Sequence, residues 1–472
     1  MDETGRLSGC YEADARRLDA LLGTERSFDM IARDVRIGGR RARLWTLDGY
    51  GDDAVLERII SFLLSLDAVD APGMDEFLAR CVTFGEVGAA AEIGELTTAV
   101  LLGKTLLLVE GYAEAALIDA KHYPDRAVEE PSRGKVLRGA HDGFIETLAS
   151  NAALLRRRIR DPHLTLEGHK LTERSRADVV LCYLDDKVDR DLLEEVRRKL
   201  AAVDAHSLTM GQESVAESMM KPQWWNPLPK VRYTERPDTA AACIMEGSIV
   251  VLADNSPAAM LLPTYFFDFL QEANDFYFPP LVGTYLRLLR CAVLVLTLLI
   301  TPVWYLLARD PSRTGAGLHF LAIAEEYEVP LLAQLLLAEF LVDLIKLASL
   351  NTPSALSNSF SMLGALVLGD FAVQAHWLVP EVLAYMAFVA IAGFAQTSYE
   401  LGYAFKLLRL LLLLLSALWD WTGFALGCVV VALLLIFTRP IAGRHYLYPL
   451  VPFDGKRLLA LLPRRPISRR NT

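Results

Sequence analysis

The sequence lacks the residue patterns that mark the common catalytic and metal sites. Its six cysteines occur without a Cys-x-x-Cys pair or other regular spacing, which argues against a zinc site and a disulfide framework. The eight histidines are scattered without a His-Glu-x-x-His pair, and no Gly-x-Ser-x-Gly nucleophile elbow is present. We therefore expect no enzyme activity, no cofactor and no metal ion.

A nucleotide site and a secretion signal are also missing. Gly103-Lys104-Thr105 resembles the end of a P-loop, but Thr98 stands where the first glycine of that motif is required. The surrounding pattern predicts strand, turn and strand rather than strand, loop and helix. The N-terminus has no basic segment followed by an apolar one, so we expect no cleaved signal and a cytoplasmic N-terminal domain.

Charge is distributed unevenly along the chain, whose formal net charge is −10. Residues 286–438 contain ten acidic and seven basic side chains, and the tail from Arg439 contains eight basic side chains and one acidic one. The rest of the chain is therefore strongly acidic, which gives no support to nucleic acid as a partner. A basic tail directly after an apolar run predicts that the C-terminus is cytoplasmic, beside anionic lipid.

The last third of the chain is rich in long uncharged apolar runs. Three runs of 18 residues have no charged side chain: Cys291–Ala308, Val382–Tyr399 and Trp421–Thr438. A helix needs about 20 mostly apolar residues to cross the hydrocarbon core of a bilayer. With their flanking residues, the runs predict spanning helices and thus an integral membrane protein.

The segment Val329–Leu350 is apolar but charged along one helical face, at Glu339, Asp343 and Lys346. It is either half-buried at the membrane surface or packed on its neighbours, or it spans the bilayer with its polar stripe facing water or a partner. The first interpretation gives five crossings and the second six. Lys406 and Arg409 are interpreted as marking an interfacial helix end.

The next segment, Leu347–Gly369, is uncharged but rich in small polar residues. Small residues permit close helix packing, and serines either bond across helices or line a wet path, so both interpretations stay open. Asp370 follows directly, as a charge that matters for permeation or as a solvated helix end. The candidate pore-lining residues are Asn351, Ser354, Ser357, Asn358, Ser361, Met362, Gly364, Leu366, Gly369 and Asp370.

Short strands and helices alternate in the N-terminal part. The segments Gly103–Gly111 and Gly247–Asn255 share a turn glycine, an apolar strand and an acidic residue before the next turn. With a third hairpin around Gly38-Gly39, they predict an α/β region of two subdomains, followed by an all-α polytopic membrane domain. The predicted divisions are a polar segment 1–27, α/β subdomains 28–160 and 161–285, five to six transmembrane helices in 286–438, and a basic cytoplasmic tail 439–472.

A signature segment runs from Arg138 to Glu146, with Asn151 and Arg156–Ile159 after it. It closely resembles the signature of the GerA family of spore germination proteins. The resemblance continues in family order through Thr234–Asp238, Gly247–Pro257, Val282–Arg287, Ser398–Leu401 and Tyr446–Leu450. The signature residues are Arg138, Gly139, Asp142, Gly143, Phe144, Glu146, Glu235, Arg236 and Pro237.

Two positions depart from the receptor A subunits of that family. Ala140 stands where they carry proline, and Asp142 where they carry glutamate. These departures, with the run that begins at Pro380-Glu381, resemble the stage V sporulation protein AF branch of the family.

The resemblance implies a protein of the spore's inner membrane that promotes germination. It implies assembly of the membrane helices into a homo-oligomeric ring that conducts ions, with Asn351–Gly369 at the place of the pore-lining helix. The implied partners are membrane lipid, further copies of the chain and other germination membrane proteins. The alternative is a membrane-anchored scaffold or binding subunit of a germination receptor complex, without a pore of its own.

Overall fold

The structure is a computed structural model that describes residues 5–82, 84–121, 139–171, 177–203, 211–220, 223–272, 274–310, 323, 327–351, 372–461 and 463. The chain forms two compact units. The α/β unit comprises Met1–Pro222, Val231–Thr264 and Ile441–Gly443, and the helical unit comprises Gln223–Lys230, Tyr265–Pro440 and Arg444–Thr472.

The first half of the α/β unit, residues 5–121, is called lobe 1. Its helices are α1 (Tyr11–Leu22), α2 (Asp53–Leu64), α3 (Met74–Cys81) and α4 (Ile93–Leu101), and its strands are β1 (Met30–Ile37), β2 (Arg40–Leu47), β3 (Val87–Ala90), β4 (Thr105–Val109) and β5 (Ala115–Ile118). The strands form one antiparallel sheet in the order β1-β2-β4-β5-β3. Gly38 and Gly39 both have positive φ, of 53° and 80°, which suits the two-residue hairpin turn between β1 and β2.

The second half, called lobe 2, starts at residue 139. Its helices are α5 (Leu148–Arg158), α6 (Arg190–Ala201), α7 (Gln212–Met219) and α8 (Pro237–Met245), and its strands are β6 (Leu164–Leu171), β7 (Ala177–Leu184), β8 (Arg232–Thr234), β9 (Ile249–Ala253) and β10 (Ala259–Leu262). They form an antiparallel sheet in the order β6-β7-β9-β10-β8. The central strand β9 is buried along its whole length, as its continuous apolar run requires.

The two lobes repeat one topology. Each element of α8, β9 and β10 begins and ends 144 residues after its counterpart in α4, β4 and β5. Gly103 and Gly247 follow the two helices with φ of 90° and 93°, a conformation that glycine adopts without steric cost. The predicted layout of turn glycine, apolar strand and acidic residue is confirmed, but the segment before Gly103 is a helix and not the predicted strand.

The helical unit follows. Its elements are a 3₁₀ helix (Phe266–Leu270), α9 (Asn274–Tyr277), α10 (Pro280–Arg309), α11 (Leu331–Asn351), α12 (Pro380–Phe394), α13 (Tyr399–Phe437) and α14 (Gly455–Leu461). Among the described residues, α10 and α13 are long and apolar enough, by length and composition, to span a membrane. The predicted fold class, two sheets with helices followed by a helical part with apolar helices, is confirmed.

Helix α13 is a hairpin of two arms. Trp419 and Asp420 have non-helical dihedral angles, and they separate a first arm, 399–418, from a second arm, 421–437. The arms lie so close that a Cβ atom on Gly423 would be 1.9 Å from the carbonyl oxygen of Leu415. The uncharged run Trp421–Thr438 of the sequence starts at the same point, directly after Asp420.

Polar contacts set the direction of α10. Its last residue, Arg309, forms an ion pair with Asp420 at 2.8 Å, while Arg290 near its start is paired with Asp275. Thr397, just before α13, donates a hydrogen bond to the carbonyl of Phe269. We call the end where α10 and α13 begin the proximal end, and the end with the α13 turn the distal end.

Helices α11 and α12 run from the distal end to the proximal end. The Gln334 amide oxygen accepts a hydrogen bond of 2.8 Å from the Val379 N–H, which joins their first turns. Near their other ends, the Lys346 ammonium lies 5.3 Å from the Phe394 ring centroid and 5.8 Å from that of Tyr403. Helix α11 thus ends at the proximal end, and α12 begins at the distal end.

A buried charge network as candidate functional site

Four charged side chains meet inside the helical unit. Glu339 of α11 accepts hydrogen bonds from Arg409 of α13, at 2.9 Å from Nε and 2.5 Å from Nη2. Lys406 lies 3.2 Å from the other oxygen of Glu339 and also pairs with Asp343. Glu339 and Arg409 are each only 4% exposed, so this part of the network is removed from solvent.

Helical spacing builds this network. Glu339 and Asp343 are four residues apart, and Lys406 and Arg409 are three apart, so each pair occupies one face of its helix. The acidic face of α11 packs against the basic face of the first arm of α13, so opposite charges meet. Arg409 also donates to the carbonyl of Thr297 in α10, at 3.0 Å. One guanidinium thereby joins three helices.

A small cleft adjoins the network. Its walls include Glu339, Lys346, Gln396 and Tyr403, and it encloses about 50 Å³ that water can reach, enough for at least one molecule. Gln396 Nε2 is buried and has no hydrogen-bond partner among the described residues. A pocket of this size, with charged and amide groups among its apolar walls, has room and polar partners for water.

The sequence predicted only half of this site. The acidic face of α11 was visible from its spacing, and it packs on neighbouring helices, which is one of the two interpretations given for it. Lys406 and Arg409, interpreted as marking an interfacial helix end, pair with that face. The available signal was the match between two acidic residues four apart and two basic residues three apart in apolar surroundings.

The candidate pore-lining residues are almost all outside the described part of the chain. Asn351 ends α11. Ser354, Ser357, Asn358, Ser361, Met362, Gly364, Leu366, Gly369 and Asp370 lie outside the described residues, so their assignment stays a prediction.

The signature residues cluster at one side of lobe 2. Asp142 forms an ion pair with Arg158 of α5 at 2.5 Å. Gly143 and Phe144 are buried, and the Phe144 N–H donates to the carbonyl of Glu235 at 2.8 Å. The carbonyl of Glu146 accepts from the Asn255 N–H at 2.9 Å. These bonds fasten the segment before α5 to two distant parts of lobe 2.

Arg236 completes this arrangement. Its guanidinium is 3% exposed, binds Asp238 at 2.5 Å and donates to the carbonyl of Ala140 at 3.0 Å. Pro237 is the first residue of α8, where its missing N–H is not needed. Gly139 has a φ of 115°, and Arg138 lies outside the described residues. The signature therefore has a structural basis in holding lobe 2 together.

The other candidate ligand-binding groups are the metal-ligating side chains, the buried thiol of Cys182 and the turn at Gly103. In the part of the chain that the structure describes, no group of three or more His, Cys, Asp or Glu side chains is arranged to hold a metal ion. Cys182 is fully buried in lobe 2, and burial raises the pKa of its thiol. Gly103, in the rejected P-loop, ends α4 at a tight turn into β4.

The sequence profile of the family described as Bacillus/Clostridium GerA spore germination protein matches residues 17–472. The chain belongs to the GerA family. Stage V sporulation protein AF of Bacillus subtilis is 34% identical over 445 residues, which cover 94% of this chain and 90% of that protein. Spore germination protein KA of the same species is 27% identical over 449 residues, covering 93% and 82%.

Among solved structures, the N-terminal domain of the A subunit of the Bacillus megaterium spore germinant receptor GerK3 covers 56% of this GerA-family chain and 98% of its own. It has a TM-score of 0.42 and 22% sequence identity. The resemblance to the GerA family and to its stage V sporulation protein AF branch, based on short motifs, is confirmed by the sequence relatives over nearly the whole chain.

Proposed function

We propose that this GerA-family protein acts in spore germination as a membrane protein, whose helical unit assembles with further copies into an ion-conducting ring. The N-terminal α/β unit and the C-terminus would face the cytoplasm of the spore's inner membrane. The relatives named for sporulation and germination support the process, and α10 and α13 support the membrane location.

The observation that carries the proposal is the paired charge network inside the apolar helical unit. Charged side chains are costly within a bilayer and normally face a bundle interior or a water-filled cavity. Here they lie beside a cleft with room for water. A network of this kind supports a polar path more than a simple anchor.

The order of the helices gives further support. Helix α11 ends at the proximal end of the helical unit, and α12 begins at the distal end. The sequence between these two helices contains most of the candidate pore-lining positions, and its residues 352–371 lie outside the described residues. We propose that small polar side chains there line the pore, and that Met362, Leu363 and Leu366 close it by dewetting.

Particle mass and symmetry test the assembly. We expect the purified chain in lipid nanodiscs to form particles of cyclic symmetry that contain several copies of the 52.4 kDa chain. A monomer by mass would contradict the ring and favour the alternative of a scaffold that binds other germination proteins. Other germination membrane proteins as partners remain part of the proposal.

A further inference from the structure

Two tryptophans lie at the tip of a tight turn in the helical unit. The Asn226 N–H donates to the carbonyl of Gln223 at 3.1 Å, which places Trp224 and Trp225 at the two central positions of the turn. Trp224 is 96% exposed and Trp225 is 58% exposed. Single exposed apolar side chains are common on proteins, but an adjacent pair of the largest apolar residue is not.

The turn is held in place on both sides. Leu228, two residues after Asn226, is 3% exposed and packs in a core cluster that includes Phe269 and Tyr446. Lys230 donates to the Gln223 side chain at 2.8 Å, and the Asn226 side-chain oxygen accepts from the Leu228 N–H at 3.1 Å. The tryptophans are therefore presented by an ordered segment.

A further contact fixes the level of the turn along the helices. The Asn226 side-chain amide donates to the Thr438 hydroxyl at 2.9 Å. Thr438 is the C-cap of α13, so the turn lies where the second arm leaves its apolar segment at the proximal end. Arg439 follows at once, and the tail beyond is strongly basic.

The tryptophans and the basic residues beside them favour lipid as the molecule that contacts this turn. Tryptophan is enriched at membrane–water interfaces, because its ring is apolar while its indole N–H bonds to the polar headgroups. Basic residues beside such a site attract the anionic lipids of the cytoplasmic leaflet. A second copy of the chain would also cover the tryptophans, but nothing in the turn's position at the end of an apolar helix favours it.

We propose that the Trp224-Trp225 turn inserts into the headgroup region of an anionic bilayer and sets the depth of the helical unit. This inference rests on the proposed membrane function. It adds a specific lipid contact outside the apolar helices, made by a segment that precedes all of them in sequence.

Depth-dependent quenching tests the contact. The full chain and its Trp224→Phe/Trp225→Phe variant are placed in phosphatidylglycerol-containing nanodiscs with lipids spin-labelled either near the headgroup or near the chain end. We expect the shallow label to quench the wild-type emission more than that of the variant, and the deep label to show a smaller difference. Trp377→Phe is the matched control, since Trp377 is 61% exposed and follows a helical segment at the distal end.

The outcomes separate the two proposals. If the emission lost in the double variant is quenched by neither lipid, the turn is in water or covered by protein, and the lipid contact is wrong. If it is quenched more by the deep label, the headgroup depth is wrong. If the wild-type chain fails to float with vesicles or to stay with them at high pH, the proposed membrane function is wrong, and the lipid contact of the turn is wrong with it.

Discussion

Glu339 is the acidic residue at the centre of the charge network in the helical unit. Both of its oxygens have cationic partners, Arg409 and Lys406, and it lies beside the small cleft. A buried ion pair of this kind need not be more stable than apolar packing, but removing one partner leaves the others uncompensated. The network therefore imposes one arrangement of α11 against α13.

Glu339→Gln should destabilise the helical unit by about 3 kcal/mol or more, because the buried Arg409 would lose its carboxylate partner while Lys406 keeps Asp343. The measurement is the unfolding midpoint of the purified chain in mild detergent. Asp34→Asn is the control, since the pair of Asp34 with Arg43 is exposed on the aspartate side and should contribute little. Equal midpoints for the two variants would contradict the structural role of the network.

Glu167 in lobe 2 predicts a pH dependence. Burial opposes its ionisation, but hydrogen bonds from His169, Arg197 and Tyr183 outweigh burial and lower its pKa to about 2 from 4.5. A lowered folded-state pKa gives stability that is present above pH 4.5 and is lost as the pH falls towards 2.

Glu167→Gln should therefore lower the stability of the α/β unit at neutral pH and weaken its loss between pH 4.5 and 2. Pulse proteolysis of the full chain across this range measures it. Glu194→Gln is the control, because Glu194 binds the same Arg197 but is 68% exposed. An unchanged acid profile in Glu167→Gln would show that other groups govern it.

For these residues, the sequence predicts which charged side chains share a helical face, but not which side chains they pair with. The spacing of Glu339, Asp343 and Lys346 is enough to place them on one face. Arg409, the partner of Glu339, is 70 residues further along the chain, and nothing local indicates which helices become neighbours. The tie between Asn226 and Thr438 spans 212 residues and is beyond such reasoning for the same reason.

In the α13 hairpin, the backbones of the two arms pack closely against each other. Gly423 lets the second arm approach the Leu415 carbonyl of the first arm, and no larger residue fits without movement. Small residues serve this purpose in membrane helices generally. The uncharged run Trp421–Thr438 predicts the second arm, but how closely the two arms approach depends on tertiary structure.

Gly423→Ala should destabilise the hairpin by about 1–3 kcal/mol, because the added methyl group overpacks the contact. Gly402→Ala is a matched control in the same helix, where an added Cβ meets nothing within 4 Å. Helix propensity predicts that this control is neutral or stabilising by up to about 1 kcal/mol. Thermal unfolding in detergent should therefore separate the two variants, and equal effects would contradict the close approach.

For the whole molecule, the sequence pattern predicts the fold class, but it does not predict the strand order or which segments belong to which unit. The hairpin motifs of the N-terminal part and the uncharged runs of the last third predict an α/β part followed by a helical part, and the structure has both. The exact repeat of sheet topology could not be read from hairpin motifs alone, since the strand orders depend on long-range pairing. The segment Ile441–Gly443, which follows the last apolar helix, belongs to the α/β unit, and no local pattern predicts that.

Ion efflux from vesicles that contain only this protein tests the proposed pore most directly. Leu366→Ala should release trapped ions faster than the wild-type chain at equal amounts of assembled protein, because a smaller side chain widens and wets an apolar constriction. If vesicles with the assembled wild-type protein and vesicles with the assembled Leu366→Ala variant both release ions no faster than protein-free vesicles, the chain is not an ion-conducting ring.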